Sequence, residues 1–283
     1  MTRLRANDLR SIPSALTDYD LELLRKTGAT LKQIACQAVG VDEEICQDVE
    51  RYRIGVIPIT AGRGILKGFT GAVQAIAKHL GFQSFITEKT DVSGLGEAFE
   101  RAAHILMLAD DERFLAINTT TWRVIDNAEA TGKGFATALA RMEGGLKSKN
   151  ILIIGVGRVG KSAARTFMRM EARLGLYDIN QYLSSRVAKE LLCYPSSEVI
   201  VETNLNEALL KYRIIFDASP GRGVICSRHI TPQTFIAAPG IPIGLTSRAR
   251  AKSLDRLLHD PLEIGVATMI MDVAYGSEEE VLS

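Results

Sequence analysis

The 283-residue chain has only four cysteines, Cys36, Cys46, Cys193 and Cys226, and none lies in a CxxC spacing. That argues against a zinc site and a disulfide framework, and it suits a reducing compartment. Neither an HExxH sequence nor a paired histidine spacing occurs, so no metal centre is expected. The formal net charge of +1 provides no basic field for nucleic acid and no acidic tail for a basic partner. No apolar run approaches the ~18 residues a membrane span needs. The first residues, MTRLRANDLRSIP, are charged and lack the apolar stretch of a secretion signal. The expectation is a cytoplasmic protein with a small-molecule partner and no membrane or nucleic-acid partner. A homodimer stays open.

What is present reads as an α/β chain of two domains. At this length two cores are the natural expectation. Residues 1–50 carry helical periodicity at Leu21, Leu23, Leu24, Leu31, Ile34, Ala35 and Ala38, with Gly28 and Gly40 as stops. From Ile54 the texture changes to a β-α-β-α-β series: an apolar run Ile54–Ile59, a helix Phe69–Leu80, a strand Phe82–Thr87, a helix Leu95–Ala103 and a strand His104–Ala109. Residues 127–143 read as a connecting helix ended by Gly144-Gly145. A second series follows, with strands at Ile151–Ile154, Leu174–Tyr177, Val199–Val201, Ile214–Phe216 and Phe235–Ala238. The predicted division is a parallel α/β substrate domain over 1–126 with an N-terminal helical segment, a connecting helix over 127–145, and a Rossmann domain over 146–261. Residues 262–283 are expected to pack back on the first domain through the apolar helix Ile264–Met271.

The sharpest motif is Gly155-Val-Gly157-Arg158-Val159-Gly160. A lone GxGxxG is weak, but this one follows a strand directly and opens a helix pattern from Lys161 to Met170. Each glycine then has a task. Gly155 makes the tight turn, Gly157 lets a pyrophosphate approach the backbone, and Gly160 lets helix meet strand. The helix start offers unpaired N–H groups to the phosphates. Asp178 ends the next strand, 18 residues beyond Gly160, where an acid hydrogen-bonds a ribose diol. A carboxylate there repels a 2′-phosphate, and Ile179, Asn180 and Gln181 supply no cation to hold one, so NAD is favoured over NADP. Arg158 either contacts the pyrophosphate or is solvated. Ser219, Pro220, Pro239 and Gly240 follow predicted strands and either line the cofactor or form ordinary βα turns.

The same strand-end rule places three segments at one edge of the first domain. These are Thr60-Ala-Gly62-Arg63-Gly64, Glu88 to Ser93, and Asp110-Asp111. The glycine-rich turn with Arg63 can hold a carboxylate, and Asp91 and Asp110 can hold a cationic amine. Such a site suits an amino acid or a related zwitterion. Asp91 is equally readable as a turn or cap residue; Asp110 and Asp111 are both readable as caps of the segment Asp111–Leu115, and for Asp111 that is the reading taken. His79 and His104 lie within apolar patterns and are read as structural. No Ser-His-Asp arrangement is indicated by position, which leaves hydride transfer.

Four stretches carry a further resemblance: Ile54-Gly-Val-Ile-Pro-Ile-Thr-Ala-Gly-Arg-Gly-Ile65, Asp91-Val-Ser-Gly94, Ile105-Leu-Met-Leu-Ala-Asp-Asp-Glu-Arg-Phe-Leu-Ala-Ile-Asn118 and Ala238-Pro-Gly-Ile-Pro242. Together, and in this order, they resemble the dehydrogenase family of pyrrolysine biosynthesis, with the likeness running from about Ile54 to Met269. The chain departs from the family pattern at Arg63 and Trp122. The resemblance implies oxidation by NAD of the terminal amine carbon of 3-methylornithyl-lysine, a dipeptide-like substrate. The resulting semialdehyde closes to a pyrroline ring. It further implies Asp110 as orienter or proton acceptor for the amine, and Thr60, Asp91, Ser93 and Asn118 as substrate contacts. Asn127 and Thr131-Gly132 resemble the hinge segment of two-domain amino-acid and shikimate dehydrogenases, where they would touch nicotinamide and substrate. Another NAD-dependent amino-acid, dipicolinate or shikimate-type dehydrogenase, and a non-catalytic NAD-sensing module, are the competing readings.

Overall fold

The computed structural model describes residues 4–277 except 63, 196 and 197. They fall into two compact units. Unit 1 holds residues 4–25, 29–131 and 261–277, and unit 2 holds 26–28 and 132–260. No helix among the described residues is long and apolar enough to cross a membrane.

Unit 1 begins with α1 (Ala6–Leu9), α2 (Ile12–Thr27) and α3 (Leu31–Ala38). On α3, Leu31, Ile34 and Ala35 recur at helical spacing and are buried. Thr30 caps the helix, its hydroxyl accepting the Gln33 N–H while Gln33 Oε1 accepts the Thr30 N–H. Next come β1 (Arg53–Ile57), α4 (Phe69–His79), β2 (Gln83–Ile86), α5 (Asp91–Glu100) and β3 (Ile105–Ala109). The three strands are parallel in the order β2-β1-β3, as the alternation of apolar runs and helices requires.

The sheet then departs from the sequence expectation. Strands β4 (Phe114–Asn118) and β5 (Val124–Asp126) extend it antiparallel, to β2-β1-β3-β4-β5. Residues 111–115, read from sequence as one capped segment, are instead a hairpin turn running into β4. Ala109 pairs with Phe114, so only Asp110-Asp111-Glu112-Arg113 lies between the strands. All four are charged and exposed, whereas Phe114-Leu-Ala-Ile resumes an apolar run that a second strand can bury.

Helix α6 (Asn127–Glu143) leads into unit 2, which continues β6 (Asn150–Ile154), α7 (Arg158–Arg169), β7 (Arg173–Tyr177), α8 (Gln181–Glu190), β8 (Val199–Val201), α9 (Leu205–Lys211), β9 (Ile214–Asp217), β10 (Phe235–Ala237), α10 (Ser247–Ser253) and β11 (Leu257–Leu258). All pairings are parallel, in the order β11-β10-β9-β6-β7-β8. The order reverses between β6 and β9, which is the doubly wound arrangement. Central strands are apolar on both faces, with Ile151–Ile154 and Ile214–Phe216 buried. On α7, Gly160, Ala163, Ala164, Phe167 and Met168 follow the helical repeat and are buried. Phe167 meets Phe216 edge-on at 5.6 Å. Each of these two buried phenylalanines contributes about 1.5–3 kcal/mol.

The chain returns to unit 1 as α11 (Glu263–Tyr275), which is buried on nearly every side and packs against α3, α4 and β4. Polar ties from Arg123 and Asn118 hold the β4–β5 hairpin to it, including Arg123 Nε donating to the Asp272 carbonyl at 3.0 Å. Arg123 Nη2 pairs with Asp272 at 2.6 Å, and Asn118 Nδ2 donates to the Val273 carbonyl at 3.1 Å.

Candidate active site

In unit 2 the glycine loop connects β6 to α7 at the point where strand order reverses. Gly155 has φ 83°, a left-handed turn that a side chain would strain. A Cβ on Gly160 would run into the Gly155 carbonyl oxygen. Gly157 differs from both: its φ is −66° and a Cβ there would meet nothing within 4 Å. The protein itself does not require glycine at 157, so the open space is suited to an approaching ligand. Gly157 is also the N-cap of α7, and no side chain caps that helix. The neighbouring α8, α9 and α10 are capped by Asn180, Asn204 and Thr246. An uncapped N-terminus at a glycine cradle is the arrangement that receives phosphate. Arg158 is exposed and Val159 half-buried in the first turn of α7.

Asp178 follows β7 and closes this loop from the side. Its Oδ2 accepts the Val156 N–H at 3.0 Å and its Oδ1 accepts the Asn180 N–H at 2.9 Å. Each oxygen keeps acceptor capacity for a hydroxyl. The residues after it, Ile179 to Gln181, are exposed and uncharged.

On the other side of the reversal, β9 ends in Asp217, which the sequence pattern does not single out beside Ser219 and Pro220. Ser219 Oγ donates to Asp217 Oδ1 at 2.6 Å, and the Ser219 N–H donates to the same oxygen at 3.1 Å. The Ser219 backbone abuts the glycine loop: a Cβ on Gly155 would lie 3.0 Å from Ser219 N. Pro220 is exposed, and Pro239 and Gly240 are half-buried. Gly240 N–H donates to the Asp217 carbonyl at 3.3 Å. Asp217 itself is 0% exposed, and its Oδ2 has no hydrogen-bond partner. Burial pushes its carboxyl up to about 6, against the hydrogen bonds from Ser219. The position of the acid as the last residue of a central strand was the available signal.

A carboxyl raised in the fold binds its proton more tightly there than in the unfolded chain. Native stability therefore falls as pH rises from the unfolded value of 3.8 through about 6. The rise from 3.8 to about 6 corresponds to about 3 kcal/mol. Asp217→Asn is accordingly expected to be more stable than the parent at about pH 8 and to lose that advantage near pH 4. Denaturant melts at the two pH values check it; a variant less stable by the same amount at both would contradict the burial account.

In unit 1 the structure gathers several expected residues at the carboxyl edge of the parallel strands. Asp91 opens α5 with φ 53°, a left-handed conformation uncommon outside glycine. It is held there by bonds on both sides. Its N–H donates to Pro58 O at 3.0 Å, its Oδ1 accepts Thr60 N–H at 2.8 Å, and its Oδ2 accepts the Thr60 hydroxyl at 2.7 Å. These bonds, led by the Thr60 hydroxyl, hold the Asp91 carboxyl below the usual carboxylate range. Ser93 is exposed in the same first turn. The loop after β1 also touches the β3–β4 turn, because a Cβ on Gly62 would collide with the Asp111 carboxylate.

Asp110 sits in that turn, and its Oδ1 accepts the N–H groups of Glu112 and Arg113 at 2.7 and 2.8 Å. Those backbone donors, Arg113 first, hold its carboxyl low. Asp110 and Asp91 are therefore standing anions and weak bases. Asn127 returns to this edge by register, since Leu115 pairs with both Leu108 and Asp126. Asn127 Nδ2 is buried without a partner, and Thr131 Oγ1 lies 3.4 Å from Asn127 Oδ1.

Asn118 is not part of this group. The antiparallel return of β4 carries it to the opposite edge, opposite Ile105. There it is 1% exposed, donates to Val273 O and accepts from the Thr120 and Thr121 N–H groups at 2.9 and 3.0 Å. Its expected role as a substrate contact is corrected to a structural one, because the β3–β4 hairpin reverses the strand that carries it. Arg63 lies outside the described residues. His79 bonds Asp20 at 2.6 Å and His104 accepts the Arg53 N–H at 3.1 Å, both structural uses.

Two α/β units, one with a dinucleotide-type switch point, define the fold class of the two-domain dehydrogenases. The structure is similar to that of the quinate dehydrogenase from Corynebacterium glutamicum in complex with NAD. The TM-score is 0.55 at 14% identity, over 80% of this chain and 94% of that one. Residues 8–125 match the family model described as pyrrolysine biosynthesis protein PylD, N-terminal domain. The pyrrolysine synthase of Methanosarcina barkeri strain Fusaro is 30% identical over 275 residues, covering 96% of this chain and 98% of that one. That of Methanosarcina acetivorans is 30% identical over 273 residues, covering 96% and 100%. The chain belongs to the pyrrolysine synthase family.

Proposed function

We propose that the chain oxidises the terminal amine carbon of 3-methylornithyl-lysine with NAD, forming an imine that is hydrolysed to a semialdehyde with loss of ammonia. Condensation of the aldehyde with the α-amine then gives the pyrroline ring of pyrrolysine. The observation that carries this reading is the relation to pyrrolysine synthases over 96% of the chain.

The residues of unit 2 fit the cofactor. Gly157 leaves room for a pyrophosphate, the uncapped start of α7 faces it, and Asp178 retains acceptors for a ribose diol. NAD, when bound, supplies the hydride acceptor. Ser219 donates its hydroxyl proton to Asp217 and so presents acceptor lone pairs outward.

In unit 1, Asp91 and Asp110 bind and orient the substrate amine. Their depressed carboxyls make them ion-pair partners rather than proton acceptors, because an anion stabilised by backbone N–H groups is a poor base. The amine must shed its extra proton before hydride leaves, so turnover is expected to rise toward alkaline pH. Thr60 fixes Asp91, while Ser93, Asn127 and Thr131 supply neutral contacts.

The cofactor half is tested with Asp178→Asn, which keeps one acceptor oxygen and removes the charge. NAD binding is expected to weaken by about tenfold and the preference over NADP to shrink, because the repulsion of a 2′-phosphate is lost. Titrations with both cofactors check this. An unchanged preference would remove Asp178 from the ribose site.

A further inference from the structure

Asp217 combines three observations that a turn residue alone does not explain. It is 0% exposed, its Oδ2 lacks any partner, and no ion pair to it exists among the described residues. Burying a carboxylate oxygen with nothing to satisfy it is costly, and folded proteins normally pair such groups. A neutral asparagine would serve the turn as well, since its side-chain oxygen can accept both bonds from Ser219. The surroundings also crowd the acid. A Cβ on Gly244 would run into Asp217 Oδ2, and Gly240 closes on its carbonyl. Above about pH 6 the carboxyl is ionised in this tight place, where its field acts with little screening.

Its position in the fold gives that field a target. Asp217 pairs in register with Ile154, the residue before the glycine loop, and the Ala218 N–H donates to Ile154 O at 2.9 Å. With the pyrophosphate on the glycine loop and the adenosine ribose at Asp178, a dinucleotide crossing the reversal puts its nicotinamide half over the β9 side. The oxidised nicotinamide ring is a cation and the reduced ring is neutral. We propose that Asp217 is a specificity-determining residue for cofactor redox state, whose buried charge favours the oxidised, cationic nicotinamide over the reduced one. This rests on the cofactor reading above. It suits an oxidation, which must load NAD⁺ and release NADH.

The test is a set of equilibrium titrations at about pH 8, above the raised carboxyl, with NAD⁺, NADH and ADP-ribose as ligands. The parent protein is expected to bind NAD⁺ more tightly than NADH. In Asp217→Asn the ratio of the two dissociation constants is expected to move about tenfold toward NADH, while ADP-ribose, which lacks the ring, binds as before. A parent that prefers NADH would overturn the proposal, as would a ratio unchanged in Asp217→Asn; if that variant does not fold, the parent's own preference decides. Failure of the parent to bind any of the three ligands would instead overturn the cofactor reading.

Discussion

Asp110→Asn is expected to lower kcat/KM for the amine substrate by about 10- to 100-fold while leaving NAD affinity unchanged. The choice of asparagine follows from the turn. Asp110 Oδ1 accepts two backbone N–H groups, from Glu112 and Arg113, and an amide oxygen can keep both. Only the charge is lost, so the hairpin between β3 and β4 persists and the effect reads the interaction with an ammonium group. A charge-assisted hydrogen bond contributes about 1.5–3 kcal/mol, which sets the expected range. Alanine would confuse the matter by leaving the two N–H groups without their acceptor. Steady-state rates with synthetic 3-methylornithyl-lysine, beside an NAD titration and a thermal melt, separate the three effects. If the asparagine variant turned over at the parent rate, Asp110 would be a turn former and nothing more.

A second large effect is expected from the glycine loop, and two substitutions divide its structural and functional parts. Gly160→Ala places a methyl group against the Gly155 carbonyl. The loop must open or α7 must lift from β6, so stability is expected to fall by about 1–3 kcal/mol along with cofactor binding. Gly157→Val is different, because φ there is ordinary and no protein atom lies within 4 Å of a Cβ. Its melting temperature should match the parent within a degree or two, yet NADH affinity should drop at least about tenfold, since the pyrophosphate needs that space. Normal binding in a well-folded Gly157→Val protein would move the phosphates elsewhere.

Much of unit 2 was legible because its sequence signals are local. Largely apolar runs of three or four residues end at Gly155, Asp178 and Asp217, and the helical repeat of α7 begins where the glycines stop. The strand-end rule then converts chain position into a shared edge without any knowledge of packing. In unit 1 the parallel strands were equally readable, and so was the clustering of Thr60 and Asp91. The β4–β5 hairpin was not, because Asp110 and Asp111 fit a cap as well as a turn until a pairing partner is known. That single ambiguity misplaced Asn118, since reversing one strand sends its far end to the other edge of the sheet. Asp217 escaped notice for another reason. Its isolation is a property of the surrounding loops, and no local pattern records that an oxygen lacks a partner.

The central claim is most directly tested by incubating the protein with NAD and synthetic 3-methylornithyl-lysine, following NADH absorbance and determining the product mass. The account predicts NADH formation together with a product of the mass of pyrrolysine. Protein that binds NAD but forms no NADH with this substrate would contradict the proposed reaction while leaving the family membership and the dinucleotide fold in place.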